Sequence, residues 1–238
     1  MLPAMKRIIA ALALLAAAAP AAAAERRFTL TDFDRVVLEG PFTVRLATGR
    51  PATALATGSQ DALDRISIDV QGRTLRIRPN RSAWGGSPGA AAGRVTIEVA
   101  TRELRGASVN GSGSLAIDRA GGLRLDLSVA GNGRIAAPAV TADNLVIDLF
   151  GAGRIDVGGT ARELRAQVQG WTELNGESLR AQGASILADT AGRVAVTVER
   201  QATVTASGIG DVEILGSPAC TVRGPSAGQV RCGSPARR

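Results

Sequence analysis

The sequence contains no histidine and no tyrosine, and only 3% of its 238 residues are aromatic. Without an imidazole the chain cannot build a serine–histidine or cysteine–histidine catalytic pair, and it lacks the preferred ligand of zinc. Lysine occurs only at Lys6, so arginine carries almost all of the positive charge. These absences exclude much of hydrolytic enzymology and most transition-metal sites, and we predict no metal and no cofactor.

Long hydrophobic runs are missing as well, apart from one near the N-terminus. Lys6 and Arg7 precede an apolar stretch from Ile8 to Ala19, and small residues follow as far as Ala24. This pattern is typical of a secretory signal peptide, and the stretch is too short for a transmembrane helix, which needs about 20 residues. We therefore predict that residues 1–24 are a signal peptide cleaved near Ala24. The rest of the chain would be periplasmic, secreted or displayed at the cell surface, with no transmembrane segment.

The net charge is +7, and it falls to +5 when Lys6 and Arg7 leave with the signal peptide. The arginines are scattered among acidic residues and form no run longer than the pairs at 26–27 and 237–238. They fit either a solvated surface or a site for a polyanion, and the surface is favoured. Nucleic acid is not predicted as a partner of an exported chain.

Cys220 and Cys232 are the two cysteines. In an exported chain they favour a disulfide, because the compartments outside the cytoplasm are oxidising. The alternative, a reactive thiol pair, would need a closer spacing or a helix N-terminus. The position of the pair predicts a covalent staple on the last structural turn, within a C-terminal cap and tail at residues 217–238.

A glycine-centred phrase recurs about every twenty residues. Its copies begin at positions 111, 131, 151, 170, 190 and 208. Before each copy, apolar and polar residues alternate, which indicates a strand with one buried face. Each unit is expected to be a strand, a glycine corner, a short strand and a polar turn such as residues 158–160. The predicted corner glycines are Gly111, Gly113, Gly131, Gly133, Gly151, Gly153, Gly208 and Gly210.

A fixed period without helical segments predicts an all-β fold, a parallel β-helix or β-solenoid with rungs of about 20 residues. An antiparallel meander would explain the alternation but not the recurrence in one direction. Residues 25–238 would form a single domain. Glycine is expected at the corners because a sharp bend with positive φ admits it most easily. Thr172 and Thr190 replace corner glycines, so locally distorted rungs are expected there.

The residues after the corners predict a ladder of charged side chains. Glu173 would lie between Arg154 and Arg193, with Asp211 following Arg193, so that opposite charges are neighbours. Arg134, Arg154 and Arg193 are candidate ligand-binding residues together with Trp171. This tryptophan occupies the middle of a corner phrase, and it would either stack on a sugar ring or cover the distorted rung. Trp84 is a weaker candidate.

The N-terminal third adds alternating segments, a hairpin over residues 66–78 and a mobile loop at 79–93. The segments FDRVVLEGPFTVRL (33–46) and GRTLRIRP (72–79), with the serial Gly-x-Gly phrases, resemble the auto-transporter adhesin head domain family, also called the GIN domain. The resemblance runs from Phe33 to Gly216. It implies a β-helical fold and an exported location, and it brings no catalytic residues.

We predict an exported, non-enzymatic binding or adhesion module of the bacterial cell envelope, whose partner is an envelope glycan or another surface polymer. The main alternative is a polysaccharide hydrolase or lyase, which would need carboxylates within roughly 5–10 Å of one another. Asp126, Asp148 and Asp156 occupy different columns of the repeat, and no Asp-Gly array for calcium is present. A third possibility is an envelope protein that assembles end to end. The sequence leaves the oligomeric state open.

Overall fold

The computed structural model describes residues 24–80, 95–226 and 229–234. This part of the chain forms seventeen strands in one continuous sheet and one short helix. The predicted signal peptide lies outside the described residues except for Ala24. The same holds for the predicted loop after Asn80, which includes Trp84, and for residues 235–238 of the predicted tail.

The elements fall into an N-terminal set and a repeat set. The N-terminal strands are β1 (Ala24–Thr29), β2 (Arg35–Glu39), β3 (Thr43–Thr48), β4 (Thr53–Gly58), β5 (Ile66–Gln71), β6 (Thr74–Pro79), β7 (Thr96–Thr101), β8 (Gly106–Gly111) and β9 (Ser114–Ile117), with helix α1 (Gln60–Asp64) after β4. The repeat strands are β10 (Ala120–Gly131), β11 (Arg134–Gly151), β12 (Arg154–Gly170), β13 (Glu173–Thr190), β14 (Arg193–Ala206), β15 (Asp211–Gly216), β16 (Ala219–Arg223) and β17 (Val230–Ser234).

The corner phrases stack on one another in register. Gly131 pairs with Gly111 on one side and with Gly151 on the other, and Gly170 follows Gly151 and pairs with Thr190. The strands from β10 to β15 pair in parallel with the equivalent strands of the next coil. The predicted parallel β-solenoid with rungs of about 20 residues is confirmed.

Each coil has three faces, which we number in chain order after the corner. In the coil that begins at Arg134, the first face is 134–137, the second 140–142 and the third 144–150. The side chains that point inward are aliphatic and at most 7% exposed: Ile135, Ala137, Val140, Ala142, Leu145, Ile147 and Leu149. Side chains of this size fill a narrow tube, which explains how the fold forms with so few aromatic residues.

The bends between the faces differ from the expected polar turns. Strands β11, β12 and β13 each run from one corner to the next without interruption. The bend is made by a shift of register, between Ala137 and Val140 in β11 and between Asp156 and Gly158 in β12. A shift of this kind bends a strand while the ladder resumes on either side of it. Hydrogen bonds to the neighbouring coils therefore continue around most of each rung.

The two glycines of a corner differ in backbone conformation. A Cβ on the first glycine would lie 2.8 Å (Gly131) or 2.9 Å (Gly151) from a carbonyl oxygen of the preceding coil. The first glycine also has a positive φ, +114° at Gly131 and +102° at Gly151, as expected. The second does not, and a Cβ on Gly153 would lie 2.5 Å from Cγ1 of Val129 and 2.9 Å from the carbonyl oxygen of Gly133. At this position glycine allows neighbouring coils to approach closely, so the expectation of a positive φ there was wrong. Positive φ is also absent at the second glycines Gly113, Gly133 and Gly210, and at Gly208, which is the first glycine of the last phrase.

The corner changes its backbone conformation where threonine replaces glycine. Thr190 pairs with Gly170 but has no positive φ. Thr172 and Thr190 are 0% and 2% exposed, and their hydroxyl oxygens lie 3.2 Å apart. The Thr190 hydroxyl donates to the Gly170 carbonyl at 2.8 Å and accepts the N–H of Gly192 at 2.9 Å. The distortion expected at this rung is therefore a change in the backbone conformation of the corner, which the buried hydroxyl groups of Thr172 and Thr190 stabilise.

The N-terminal third contributes further rungs to the same stack. Strands β2 and β3 flank a corner at Gly40, whose φ is +96° and whose N–H donates to the carbonyl of Asn110 at 3.2 Å. Strand β2 pairs in parallel with β6 and β8, and β3 with β7 and β9. The β2–β3 rung therefore lies between the β6–β7 rung and the β8–β9 rung, so the order in space differs from the order in the chain.

Antiparallel strands and the helix close the N-terminal end of the tube. The predicted hairpin is confirmed, since β5 and β6 pair antiparallel. Strand β4 is antiparallel to both β1 and β7. Helix α1 begins after Ser59, whose hydroxyl accepts the N–H of Ala62, and it buries Ala62 and Leu63 in the core. The interior is thereby covered at this end.

At the C-terminal end of the tube, a disulfide bond links the last two strands. Strands β16 and β17 form the last coil and pair in parallel with β14 and β15. Cys220 aligns with the buried Ala202 and Cys232 with the buried Ile214. At the end of the stack, however, Cys220 is exposed and Cys232 is half-buried. The predicted disulfide is confirmed, and it crosses the interior of the last coil.

Candidate functional site

The corner carries an exposed apolar ridge. Ala152, Trp171, Ala191 and Ile209 occupy the middle of the corner phrase in four successive coils, and we call them the corner ridge. Trp171 and Ile209 are 74% and 75% exposed. Neighbouring strands lie about 4.8 Å apart, so the ridge extends roughly 14 Å along the axis. A ring exposed to this degree does not cover the altered corner, which was one of the two roles predicted for Trp171.

Two of the predicted binding arginines stack beside the ridge, at the start of the first face. Arg134 and Arg154 align in register. Arg154 contacts Asp156 (Nη2–Oδ1, 2.7 Å) and Glu173 (Nη1–Oε2, 2.6 Å), whereas Arg134 Nε lies 3.8 Å from Asp156 Oδ2. The hydrogen bond to Asp156 raises the pKa of Arg154. The predicted neighbour pair of Arg154 and Glu173 is confirmed.

Asp156 is the carboxylate that these arginines share. Its partial burial alone would raise its pKa. The hydrogen bonds from Arg154 and Asn175, together with the charges of Arg154 and Arg134, outweigh that effect and lower the pKa of Asp156 overall. The group therefore stays ionised and stabilises the fold above its ordinary pKa, and this contribution is lost as the pH falls through the lowered value.

The predicted order of the charged residues is confirmed by the register, but the expected ion pairs of Arg193 with Glu173 and Asp211 do not form. Nη2 of Arg193 contacts Glu177 Oε1 and Glu213 Oε2, both at 2.9 Å, instead of Glu173 or Asp211. The register is as predicted, since Arg193 aligns with Asp211. The side chain of Glu213 is only 11% exposed, against 63% for that of Asp211, so the buried carboxylate has the greater need of a counter-ion. The hydrogen bond to Glu213 raises the pKa of Arg193.

Trp171 and the three arginines thus lie side by side on one corner and the first face. The charges of Arg154 and Arg193 are balanced by carboxylates of the protein, and the side chain of Arg134 is 56% exposed with one contact at 3.8 Å. This surface therefore combines an apolar ridge with a polar band of paired charges. It does not concentrate positive charge for a polyanion.

A groove over the second face is a surface that sequence reasoning missed. This second-face groove has a volume of about 760 Å³ and crosses five coils, from β10 to β14. Leu123, which is 79% exposed, contributes to one end. The sequence did contain a signal for this groove, because arginines recur at nearly the rung period at Arg162, Arg180 and, close by, Arg200. Its polar lining residues are Thr141, Asp143, Thr160, Arg162, Arg180, Gln182 and Glu199.

A smaller depression continues this groove onto the third face. It has a volume of about 340 Å³ and shares Gln182 with the second-face groove. Gly183 contributes to its lining, and a Cβ there would come within 2.7 Å of both carboxylate oxygens of Glu163. Arg200 and Gln201 complete much of the polar lining. The two concavities form one continuous surface.

A third concavity lies on the first face near the N-terminal end. Its volume is about 660 Å³, and its lining is mainly apolar. Arg45 and Glu98 also line it and lie 3.9 Å apart. The apolar lining residues include Leu55, Ala100, Ala116, Ala136 and Pro138.

The third face carries a carboxylate without a counter-ion. Asp148 stands between Ser128 and Gln167 of the neighbouring coils and makes no hydrogen bond or ion pair with any residue that the structure describes. Partial burial raises its pKa, and the charge of Asp126 raises it further, while Arg124 acts in the opposite direction. Asp126 and Asp148, two of the three aspartates predicted to lie in different columns of the repeat, therefore repel each other electrostatically. The third, Asp156, lies on the first face.

Within residues 24–80, 95–226 and 229–234, no three His, Cys, Asp or Glu side chains gather closely enough to hold a metal ion. In the same ranges, no helix is long and apolar enough to cross a membrane.

Comparison with known families matches residues 32–218 to the model of the family described as "Putative auto-transporter adhesin, head GIN domain". The chain belongs to this family. The resemblance noted from Phe33 to Gly216 is thereby confirmed. No curated protein matches the sequence significantly.

Solved structures share the fold at low sequence identity. A putative adhesin from Bacteroides fragilis has a TM-score of 0.76 at 18% identity, over 85% of this chain and 94% of that one. A putative lipid binding protein from Parabacteroides distasonis has a TM-score of 0.64 at 19% identity, over 88% and 96%. A putative adhesin from Parabacteroides merdae has a TM-score of 0.57 at 15% identity, over 90% and 96%. The TM-scores establish a common fold.

Proposed function

We propose that this GIN-domain protein is an exported, non-enzymatic binding module of the adhesion type, and that the corner ridge contacts an envelope glycan or another surface polymer. The observation that carries the proposal is the exposure of Trp171 on a stacked scaffold. An aromatic side chain provides a large apolar face with little conformational freedom to lose, and such a face can stack on the C–H face of a sugar ring. Ile209 extends the apolar surface two coils further.

The neighbouring arginines provide the polar part of the proposed site. A guanidinium group has five N–H donors, and the ion pairs of Arg154 and Arg193 occupy only some of them. The remaining donors, with those of Arg134, can bind hydroxyl groups of a ligand beside the tryptophan. Because the charges are already paired, this contact would depend little on the charge of the ligand.

Three observations support export. Residues 1–24 have the pattern of a signal peptide. The disulfide is the state that cysteines adopt in oxidising compartments. The family is described by an adhesin role, which requires a location outside the cytoplasm.

The alternative function, a polysaccharide hydrolase or lyase, is favoured by one observation. The pKa of Asp148 is raised, and the charge of Asp126 contributes to this shift. A carboxyl group with a raised pKa near a second carboxylate is the arrangement that a glycosidase uses as its general acid. Neither residue lines any of the three concavities described above. Release of reducing ends from polysaccharides, lost in Asp148→Asn, would establish the enzyme and contradict our proposal.

The test of the corner ridge is a binding screen of the mature chain against glycans and envelope polymers. We expect Trp171→Ala to bind about tenfold more weakly than the wild type, the effect of losing one well-packed aromatic contact. Leu187→Ala is the matched control, because Leu187 is an exposed apolar side chain on the third face, away from the ridge. Equal binding by Trp171→Ala and the wild type would rule out the ridge as the site.

A further inference from the structure

We infer that the second-face groove, with the depression that continues it, binds an uncharged oligosaccharide chain that lies along the solenoid axis. The ligand class rests on the proposed function, whereas the site is a separate one, on a different face from the corner ridge.

The first step concerns charged side chains without protein partners. The side chains of Arg162, Arg180 and Arg200 make no hydrogen bond or ion pair with the residues that the structure describes, and neither do those of Asp143 and Glu199. On the first face, by contrast, the stacked arginines bond to carboxylates of the protein. The groove therefore keeps its hydrogen-bonding groups available to a ligand.

The second step is the balance of these charges. Three arginines line the two concavities, and Asp143, Glu163 and Glu199 supply three carboxylates. A balanced surface of this kind attracts neither polyanions nor polycations strongly. Its guanidinium groups donate, its carboxylates accept, and the amides of Gln182 and Gln201 do both. Sugar hydroxyl groups match this surface, because each one donates and accepts without carrying charge.

The third step is the shape of the groove. Its volume falls in the usual range for ligand sites, about 300–1,000 Å³. Successive coils are spaced about 4.8 Å apart, which is comparable to the length of one sugar unit in an extended chain. Thr141 and Thr160 lie in register on adjacent coils, so similar hydroxyl groups recur along the groove. Leu123 adds an exposed apolar side chain that can contact the C–H face of a terminal ring.

The experiment is titration calorimetry of the mature chain with cellohexaose, maltohexaose and chitohexaose, and with a galacturonate hexamer as the charged comparison. The test variant is the double substitution Arg162→Ala and Gln182→Ala, both at exposed positions. Arg165→Ala is the matched control, because Arg165 is also an exposed arginine without a partner among the described residues but lies outside the groove. Circular dichroism verifies that each variant is folded.

We expect at least one neutral hexasaccharide to bind, the double variant to bind it at least about tenfold more weakly, and Arg165→Ala to bind it as the wild type does. Trp171→Ala is titrated alongside to separate the groove from the corner ridge. If Trp171→Ala loses binding and the double variant keeps it, the groove is overturned while the corner ridge is supported. Binding of the galacturonate alone, or of no neutral sugar, also overturns the groove. A loss confined to the double variant supports the groove even if the ridge fails its own test.

Discussion

In a corner phrase such as that of Gly151 and Gly153, the first glycine satisfies two constraints, a positive φ and the close approach of the preceding coil, whereas the second satisfies only the close approach. The period of the repeat located Gly151 and Gly153 from the sequence alone, because a corner needs a residue that turns sharply. The sequence did not distinguish their roles, since the constraint on Gly153 comes from Val129 and Gly133 in the preceding coil. Contacts of this kind exist only after the coils have stacked.

Asp148 provides a test of electrostatics at a single residue. Its pKa is raised in the folded state, so at pH 7 the ionised carboxylate lowers the free energy of unfolding. The penalty disappears as the pH falls through the raised pKa towards the ordinary value of 3.8. We therefore expect Asp148→Asn to increase the urea midpoint of unfolding at pH 7, and the gain to shrink to nearly zero below about pH 4.

The control for this substitution is Asp189→Asn, an exposed aspartate on the same face. Surface substitutions of this kind change the free energy of unfolding by less than about 0.5 kcal/mol. A lower midpoint for Asp148→Asn at pH 7, or a gain equal to that of the control, would contradict the assignment of an unfavourable carboxylate.

At the scale of an element, the altered corner depends on the hydroxyl of Thr190. Thr190→Val keeps the shape but leaves the N–H of Gly192 and the carbonyl of Gly170 without this partner. We expect the free energy of unfolding to fall by about 1–3 kcal/mol, measured by urea denaturation. Thr172→Val should cost less, because among the described residues the Thr172 hydroxyl is hydrogen-bonded to that of Thr190 alone.

Thr190→Ser is the matched control for the corner, since it retains the hydroxyl group. We expect it to be closer in stability to the wild type than Thr190→Val is. If the serine and valine variants lose the same stability, the corner depends on the methyl group and not on the hydrogen bonds.

The strands and their parallel pairing were predictable because each coil repeats the same apolar alternation at one period. The ion pairs of Arg193 were not, because the register places Asp211 beside it while the burial of Glu213 decides the contact. The second-face groove also escaped prediction. Its residues come from five strands, and no single segment of the sequence carries the pattern.

For the whole molecule, the disulfide determines how stable the C-terminal end is. Cys220 and Cys232 are separated by 12 positions and are joined across the last coil. In the chain-entropy account, closing a loop of this size stabilises the fold by about 3 kcal/mol. We expect the double variant Cys220→Ala and Cys232→Ala to lose about that amount in urea denaturation.

The loss should also be local. Amide hydrogen exchange should become faster in β16 and β17, where the interior is no longer covered, and remain slow in β11 and β12. Faster exchange spread evenly over all coils would show instead that the disulfide stabilises the solenoid as one cooperative unit.

The insertion of the β2–β3 rung between two later rungs bears on how a nascent chain winds up. Strand β2 pairs with β6 and β8, which follow it in the chain, so residues 24–117 must all be present before the first coils are complete. From Ala120 onward each new coil lies directly on the one just made. We therefore expect residues 24–117 to fold as one block with distant contacts, and the later coils to add to it in a single direction.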